Sequence, residues 1–233
     1  MSELTKSDFI NFFTYFKGEK HQVNGVSHLY DMMRDVLKDD RHPWIQKYRT
    51  PAAPTTTNPL DVKWQSQNDN ASNTGYRECF SSSCGMVAMY YGKVKNDDEY
   101  NAIRQKYGDS TDAQAQVRAL RSLGLEAEFR TNGTAADLKA AIDDGRPTAC
   151  GWLHHGPTHN PSGGGHYSVV VGYNNDSFII NDPNGEADLT AGGYTNNMNG
   201  DHLSYSYKNW LPRWEVDGAG TGWYMDIRNP PST

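Results

Sequence analysis

The sequence predicts an α+β fold in which helices precede an antiparallel sheet. Three observations carry that expectation. Apolar residues recur at helical spacing through three capped segments between Asp97 and Asp144. Beyond Thr148 the pattern changes to short β-branched and aromatic runs, of which His166–Tyr173 and Ser177–Asn181 stand out. Between those two runs, Asn174-Asn175-Asp176 has the turn chemistry of a hairpin, which makes the strands antiparallel neighbours. Helices first and strands second is an α+β order rather than an alternating βαβ one.

At the N-terminus, Ser7-Asp8 caps a stripe of Phe9, Phe12, Phe13 and Phe16, a short amphipathic helix that Gly18 ends. A second helix is expected from about His21 to Leu37, with Val26, Leu29, Met33 and Val36 on its buried side. These two make a helical hairpin over residues 1–50. Residues 51–59, rich in Pro and Thr, read as a connector, and 60–233 as the main domain. Within that domain Asp61–Gln67 is expected to be extended. Cys79–Tyr91, dense in small and apolar residues, reads as a buried central helix. Asp97–Tyr107 and Thr111–Leu123 follow as helices opened by Asp or Thr and closed near a Gly. Glu126–Arg130 reads as a strand and Thr134–Asp144 as a capped helix ending at Gly145. Thr148–Leu153, His166–Tyr173, Ser177–Asn181 and Trp223–Arg228 complete the sheet.

A chain of 233 residues suits one medium domain with a small appendage. Hydrophobic residues are a lean 36%, but 14 Tyr and 6 Trp add bulk that can fill a core. A net charge of -6 and a pI near 5.7 argue against nucleic acid as a partner. No stretch approaches the roughly 20 apolar residues that cross a bilayer, so no membrane partner is expected. Met1–Lys6 lacks a basic segment leading into an apolar run, so the sequence predicts synthesis in a cytoplasm without a signal peptide. Three cysteines are an odd set, and Cys79 and Cys84 face different sides of one expected helix. Reduced thiols are the expectation.

Chemistry concentrates in Cys79-Phe80-Ser81-Ser82-Ser83-Cys84, Gly165-His166-Tyr167 and Asn181-Asp182-Pro183. A thiol becomes a good nucleophile beside a helix N-terminus or an imidazolium. Cys79 stands where the helical pattern starts; Cys84 falls inside the run and Cys150 inside a buried strand, where small hydrophobes belong. His166 opens a rigid strand behind the glycines of Ser162–Gly165, a stretch that lets a substrate backbone approach. It is the general base that Cys79 requires. Asp182 ends the adjoining strand, within reach of the His166 ring, with Asn181 as the fallback orienter. For an oxyanion, the Cys79 backbone N–H is one donor. Gln65 and Gln67 both offer the second, and alternation in an extended segment does not separate them. Trp152 and Tyr167 are expected to form apolar subsite walls beside Gly165.

At these residues the chain resembles the bacteriocin-processing, double-glycine leader peptidases and their stand-alone papain-like relatives. Four blocks carry the likeness: Ser66–Asn70, Cys79–Gly92 ending Tyr90-Tyr91-Gly92, Gly165–Tyr173 and Asn181–Pro183. The resemblance implies a papain-like fold and a thiol peptidase without cofactor or metal. Counting back from Tyr90-Tyr91-Gly92, it makes Cys79 the nucleophile, His166 the base, Asp182 the orienter and Gln67 the oxyanion amide. Two features depart from the family pattern. Cys79 is followed by Phe80-Ser81 instead of Gly-Pro, and a polar insert, Ala71–Glu78, precedes it. The tail around Tyr207–Leu211 and Trp223 is similar to stand-alone members carried by bacteriophages, cyanophages included. That likeness implies a cell-wall peptide as substrate, a place in a host cytoplasm or a virion, and a virion or tail protein contact through the N-terminal helices.

Two other readings compete. His154, His155 and His159 have metal-ligand chemistry, but Gly156-Pro157 forbids the helix that would align them. An inactive papain-like binding or structural module, such as a phage tail component, would not need all the reacting residue types this chain keeps.

Overall fold

The computed structural model describes residues 58–230. The expected helical hairpin over 1–50 and the connector up to residue 57 lie outside the described residues. The described chain forms, in order, α1 (Cys79–Tyr90), α2 (Asp97–Arg104), α3 (Ala113–Ser122), β1 (Glu126–Gly133), α4 (Ala135–Asp143) and β2 (Thr148–Trp152). Then come β3 (His166–Tyr173), β4 (Ser177–Asn181), β5 (Glu186–Ala187), β6 (Tyr194–Asn196), β7 (Leu203–Ser206), α5 (Tyr207–Trp214) and β8 (Gly222–Arg228).

Six strands make one antiparallel sheet in the order β1-β8-β2-β3-β4-β7, and β5 pairs with β6 apart from it. The α+β expectation holds. In β3 every residue from Ser168 to Gly172 is buried, because α1 covers β2 and β3 while α2 and α3 pack on α1. The hairpin turn is drawn tight by Asn174, whose Oδ1 accepts from Asp176 N and Ser177 N at 2.9 and 2.8 Å.

Four further elements have no clear signature in the sequence. Strands β5, β6 and β7 are two to four residues long and largely polar. Helix α5 carries Pro212 in its interior, which masks it as a helix. Trp210 and Trp214 of α5 stack at 5.3 Å, and the Trp214 indole N–H donates to Trp223 O at 2.9 Å, tying α5 to β8.

Candidate active site

Helix α1 starts at Cys79 with no side chain capping it. Its neighbours are capped: Asn96 accepts from Glu99 N at 2.9 Å, Asp112 from Gln114 N at 2.8 Å, and Thr134 with Asp137 forms a reciprocal capping box. At α1 the cap position is Glu78, whose carboxylate is engaged elsewhere. The positive helix end and its first-turn N–H groups are therefore left open at Cys79. Cys79 is partly exposed, whereas Cys84 and Cys150 lie in the core with their thiols pushed up by burial.

Gly165 has a φ of +89°, which only glycine adopts readily, and it turns the chain from the exposed Ser162–Gly164 into the buried ladder. The next residue, His166, is 3% exposed. Its Nε2 donates to Asp182 Oδ1 at 2.7 Å, which leaves Nδ1 outside that bond, and the Cys79 sulfur lies near enough to help raise the ring's pKa. Burial acts to lower the imidazole pKa. The Asp182 charge and hydrogen bond, with the Cys79 sulfur, outweigh burial and raise it to about 10. The imidazolium is the form this pocket favours.

Asp182 is fully buried and held on all sides. Its Oδ1 also accepts from Asn184 N at 3.0 Å, and its Oδ2 accepts from the Tyr205 hydroxyl at 3.1 Å. Its backbone O accepts from the Trp64 indole at 2.7 Å, and its N donates to Gly200 O at 2.8 Å. Asn181, the fallback orienter, has another task. Its Nδ2 donates to Val62 O and its Oδ1 accepts from His202 N, both at 2.8 Å, so it fastens the lead-in segment to β4.

Three rings wall the imidazole. Trp152 meets it edge-on at 5.4 Å, His154 lies at 5.4 Å and Tyr194 at 5.6 Å. Trp152 was expected as a subsite wall, and the structure corrects this. It pairs directly with His166 across β2 and β3, is 1% exposed, and donates its indole N–H to Ser168 Oγ at 2.9 Å. It shields the His166–Asp182 bond instead of facing a ligand. Tyr167 is half-buried and stacks flat on Phe80 at 3.6 Å, over Gly151. One ring face is thereby covered, and the stack presses the first turn of α1 against β3. Gly165 alone of the three expected binding residues lies at the mouth of the strand beside exposed chain.

Gln67 is separated from Gln65 by the backbone. The segment ends in a 3-10 turn, Gln67–Asp69, capped by Ser66 Oγ, so the two glutamines do not share a strand face. Gln65 donates to the neighbouring Trp64 O, while Gln67 is buried with its backbone N on Pro183 O at 2.8 Å and its Nε2 on Gly75 O at 2.9 Å. A carboxamide nitrogen carries two hydrogens, and this contact uses one.

The insert and the loop before His166 frame the site. Gly75–Arg77 forms a 3-10 turn directly ahead of Cys79. Loop 153–156 is clamped by Arg213, which is fully buried and donates to the carbonyls of Leu153, His155, Gly156 and Leu189 at 2.7–3.2 Å. His154 on that loop is held neutral: burial, then His166, His155 and Arg213, push its pKa down to about 3. Tyr205, Glu78 and Arg213 escaped the sequence reading. Tyr205 and Arg213 sit in the unassigned β7 and α5, and Glu78 is a single carboxylate inside a polar insert. Among the described residues no group of three or more His, Cys, Asp or Glu is assembled to hold a metal, and no helix is long and apolar enough to cross a membrane.

A thiol at an open helix end, beside a buried imidazole that a carboxylate steadies, is the arrangement of a cysteine peptidase. Residues 59–211 match the Peptidase_C39 like family, and the chain belongs to that family of cysteine peptidases. No protein of curated function matches it. Among solved structures it is similar to the peptidase domain of Streptococcus ComA, a bi-functional ABC transporter of a quorum-sensing pathway. The identity there is 21%, over 72% of this chain and 99% of that one, with a TM-score of 0.48. A C39-like peptidase from Bacillus anthracis is 13% identical over 72% of this chain and 95% of its own, with a TM-score of 0.45. A double glycine motif protease from an AMS/PCAT transporter, solved with its leader peptide, is 21% identical over 65% and 84%, with a TM-score of 0.40.

Proposed function

We propose that this peptidase cleaves peptide bonds through Cys79, His166 and Asp182, by way of an acyl-thioester. The observation that carries the reading is the 2.7 Å bond from His166 Nε2 to Asp182 on a ring that also engages the Cys79 thiol. The Cys79 sulfur attacks the scissile carbonyl, and the charge moves to its oxygen. The Cys79 backbone N–H and the second N–H of Gln67 stabilise that oxyanion. The imidazolium then gives its proton to the departing amine. Water, deprotonated by the neutral imidazole, attacks the thioester and releases the acid with the thiol restored.

The proposed substrate is a cell-wall peptide, with the enzyme acting as a lysin or virion-associated hydrolase from a host cytoplasm or a particle. The likeness of the tail to phage-carried members supports this, and the N-terminal segment is then the part that meets a virion or tail protein. Incubation with purified cell walls and, separately, with denatured protein tests it by the amines released. Release from walls, absent with Cys79→Ala, is expected. Release from denatured protein alone would remove the cell-wall assignment, and release from neither, with Cys79 unreactive to iodoacetamide, would remove the catalytic one.

A further inference from the structure

The insert before Cys79 is wrapped around a single carboxylate. Glu78 is 2% exposed and ionised: burial opposes its charge, but hydrogen bonds outweigh burial and lower its pKa. Its Oε2 accepts from Asn70 Nδ2 at 2.8 Å and Ser72 Oγ at 2.7 Å. Its Oε1 accepts from Thr74 Oγ1 at 2.7 Å and Asn101 Nδ2 at 2.9 Å, with the Arg104 guanidinium at 3.9 Å. Two of these donors belong to the insert, one to the turn before it and one to α2.

The wrapped segment ends on Gly75, and Gly75 is where Gln67 is held. Its carbonyl takes one N–H of the Gln67 amide at 2.9 Å, and a Cβ at Gly75 would stand 1.9 Å from Gln67 O. Nothing but glycine lets the two strands of this loop approach so closely. On its other side Gln67 is fixed to Pro183 O. Gln67 is therefore held twice, its side-chain amide by the insert and its backbone N–H by the Asp182 loop, and the insert keeps its shape through Glu78.

We propose that Glu78 is a positioning residue whose buried carboxylate folds Ala71–Gly75 into a brace for the Gln67 amide. The inference rests on the reading of Gln67 as an oxyanion donor. It makes the insert, a departure from the family pattern, part of the catalytic geometry.

Glu78→Gln replaces one acceptor oxygen with a donor that faces donors. In hydrolysis of the peptide that the wild-type protein cleaves, kcat is expected to fall ten- to a hundredfold while KM stays within about twofold. The rate of Cys79 alkylation by iodoacetamide, which needs no oxyanion donor, is expected to stay within about twofold. On a Gln67→Ala background the same substitution should cost less than about twofold further. Losses that multiply in the double variant, or alkylation that slows as much as turnover, would overturn the proposal. If Glu78→Gln does not fold, Ser72→Ala with Thr74→Val removes the insert's two side-chain donors to Glu78, together with the acceptor for Thr74 N. A smaller kcat loss, again absent on the Gln67→Ala background, is then the expected result, and an unchanged kcat is the contrary one. Failure of the catalytic reading itself shows separately, as a wild-type Cys79 that resists iodoacetamide.

Discussion

Tyr205 donates its hydroxyl proton to Asp182 Oδ2 at 3.1 Å, the carboxylate oxygen that His166 leaves open. The same hydroxyl oxygen accepts from Ala187 N at 2.9 Å, so Tyr205 links the carboxylate to β5. Tyr205→Phe keeps the ring and removes both contacts. It is expected to lower kcat several-fold with little change in KM and to cost about 1–2 kcal/mol of stability. Steady-state kinetics and thermal unfolding check the two effects.

Asp182 is what holds the proton on His166. With Asp182→Ala the imidazole loses the main counter-charge that opposes burial and keeps only that of the Cys79 sulfur, so its pKa is expected to fall well below about 10. The wild-type ring should stay protonated from pH 6 to 8 by nitrogen NMR of labelled histidine, and the variant ring should be neutral over most of that range. Hydrolysis is expected to drop by at least about a hundredfold.

Cys79→Ala should abolish hydrolysis and leave the unfolding temperature within a few degrees, because the side chain is partly exposed. Cys84→Ala should retain hydrolysis and lose about 1 kcal/mol of stability to the small cavity it opens. The opposite pattern in the hydrolysis assay would move the nucleophile to Cys84.

Asp97 is buried under α1 with one carboxylate oxygen unpartnered, and burial raises its pKa to about 6. Folding therefore favours its protonated form. The stability this lends is full below pH 3.8 and is lost as pH rises through about 6. Asp97→Asn should raise stability at pH 8 by about 1–2 kcal/mol, or about 2–8 °C, and give no gain at pH 4. Thermal melts across that range decide it.

Arg213 serves four backbone carbonyls from the core, with no carboxylate among its hydrogen-bond partners. A lysine supplies a point charge without the planar fork. Arg213→Lys is expected to cost about 2–4 kcal/mol in denaturant unfolding, as carbonyls of loop 153–156 lose their donors.

The regular core was legible because period and punctuation agree there. Thr134 and Gly145 bracket α4, Asn174–Asp176 turns the β3–β4 hairpin, and valines mark β3 as covered on both faces. Cys79 and His166 could be placed because each stands at the first residue of a strongly patterned element. Trp152 and Tyr167 were assigned to the cleft because sequence reports that a residue is aromatic, not which way its strand faces. The register that sets Trp152 opposite His166 comes from pairing across the thirteen residues between them. Gln67 could not be told from Gln65 while the segment read as extended; the Ser66-capped turn distinguishes them. Tyr205 and Arg213 lie in elements too short or too interrupted by Pro212 to announce themselves.

The sheet has one topological consequence for how the enzyme comes into being. Among the described strands β8 comes last in the chain, yet it sits between β1 and β2 in the sheet order. A growing polypeptide that has not yet reached residue 222 has β1 without a neighbour and β2 with a bare edge. The thiol, the imidazole and the carboxylate have all been translated by then, but the platform that registers Trp152 behind His166 is still incomplete. Completion of the sheet behind the site therefore waits on β8.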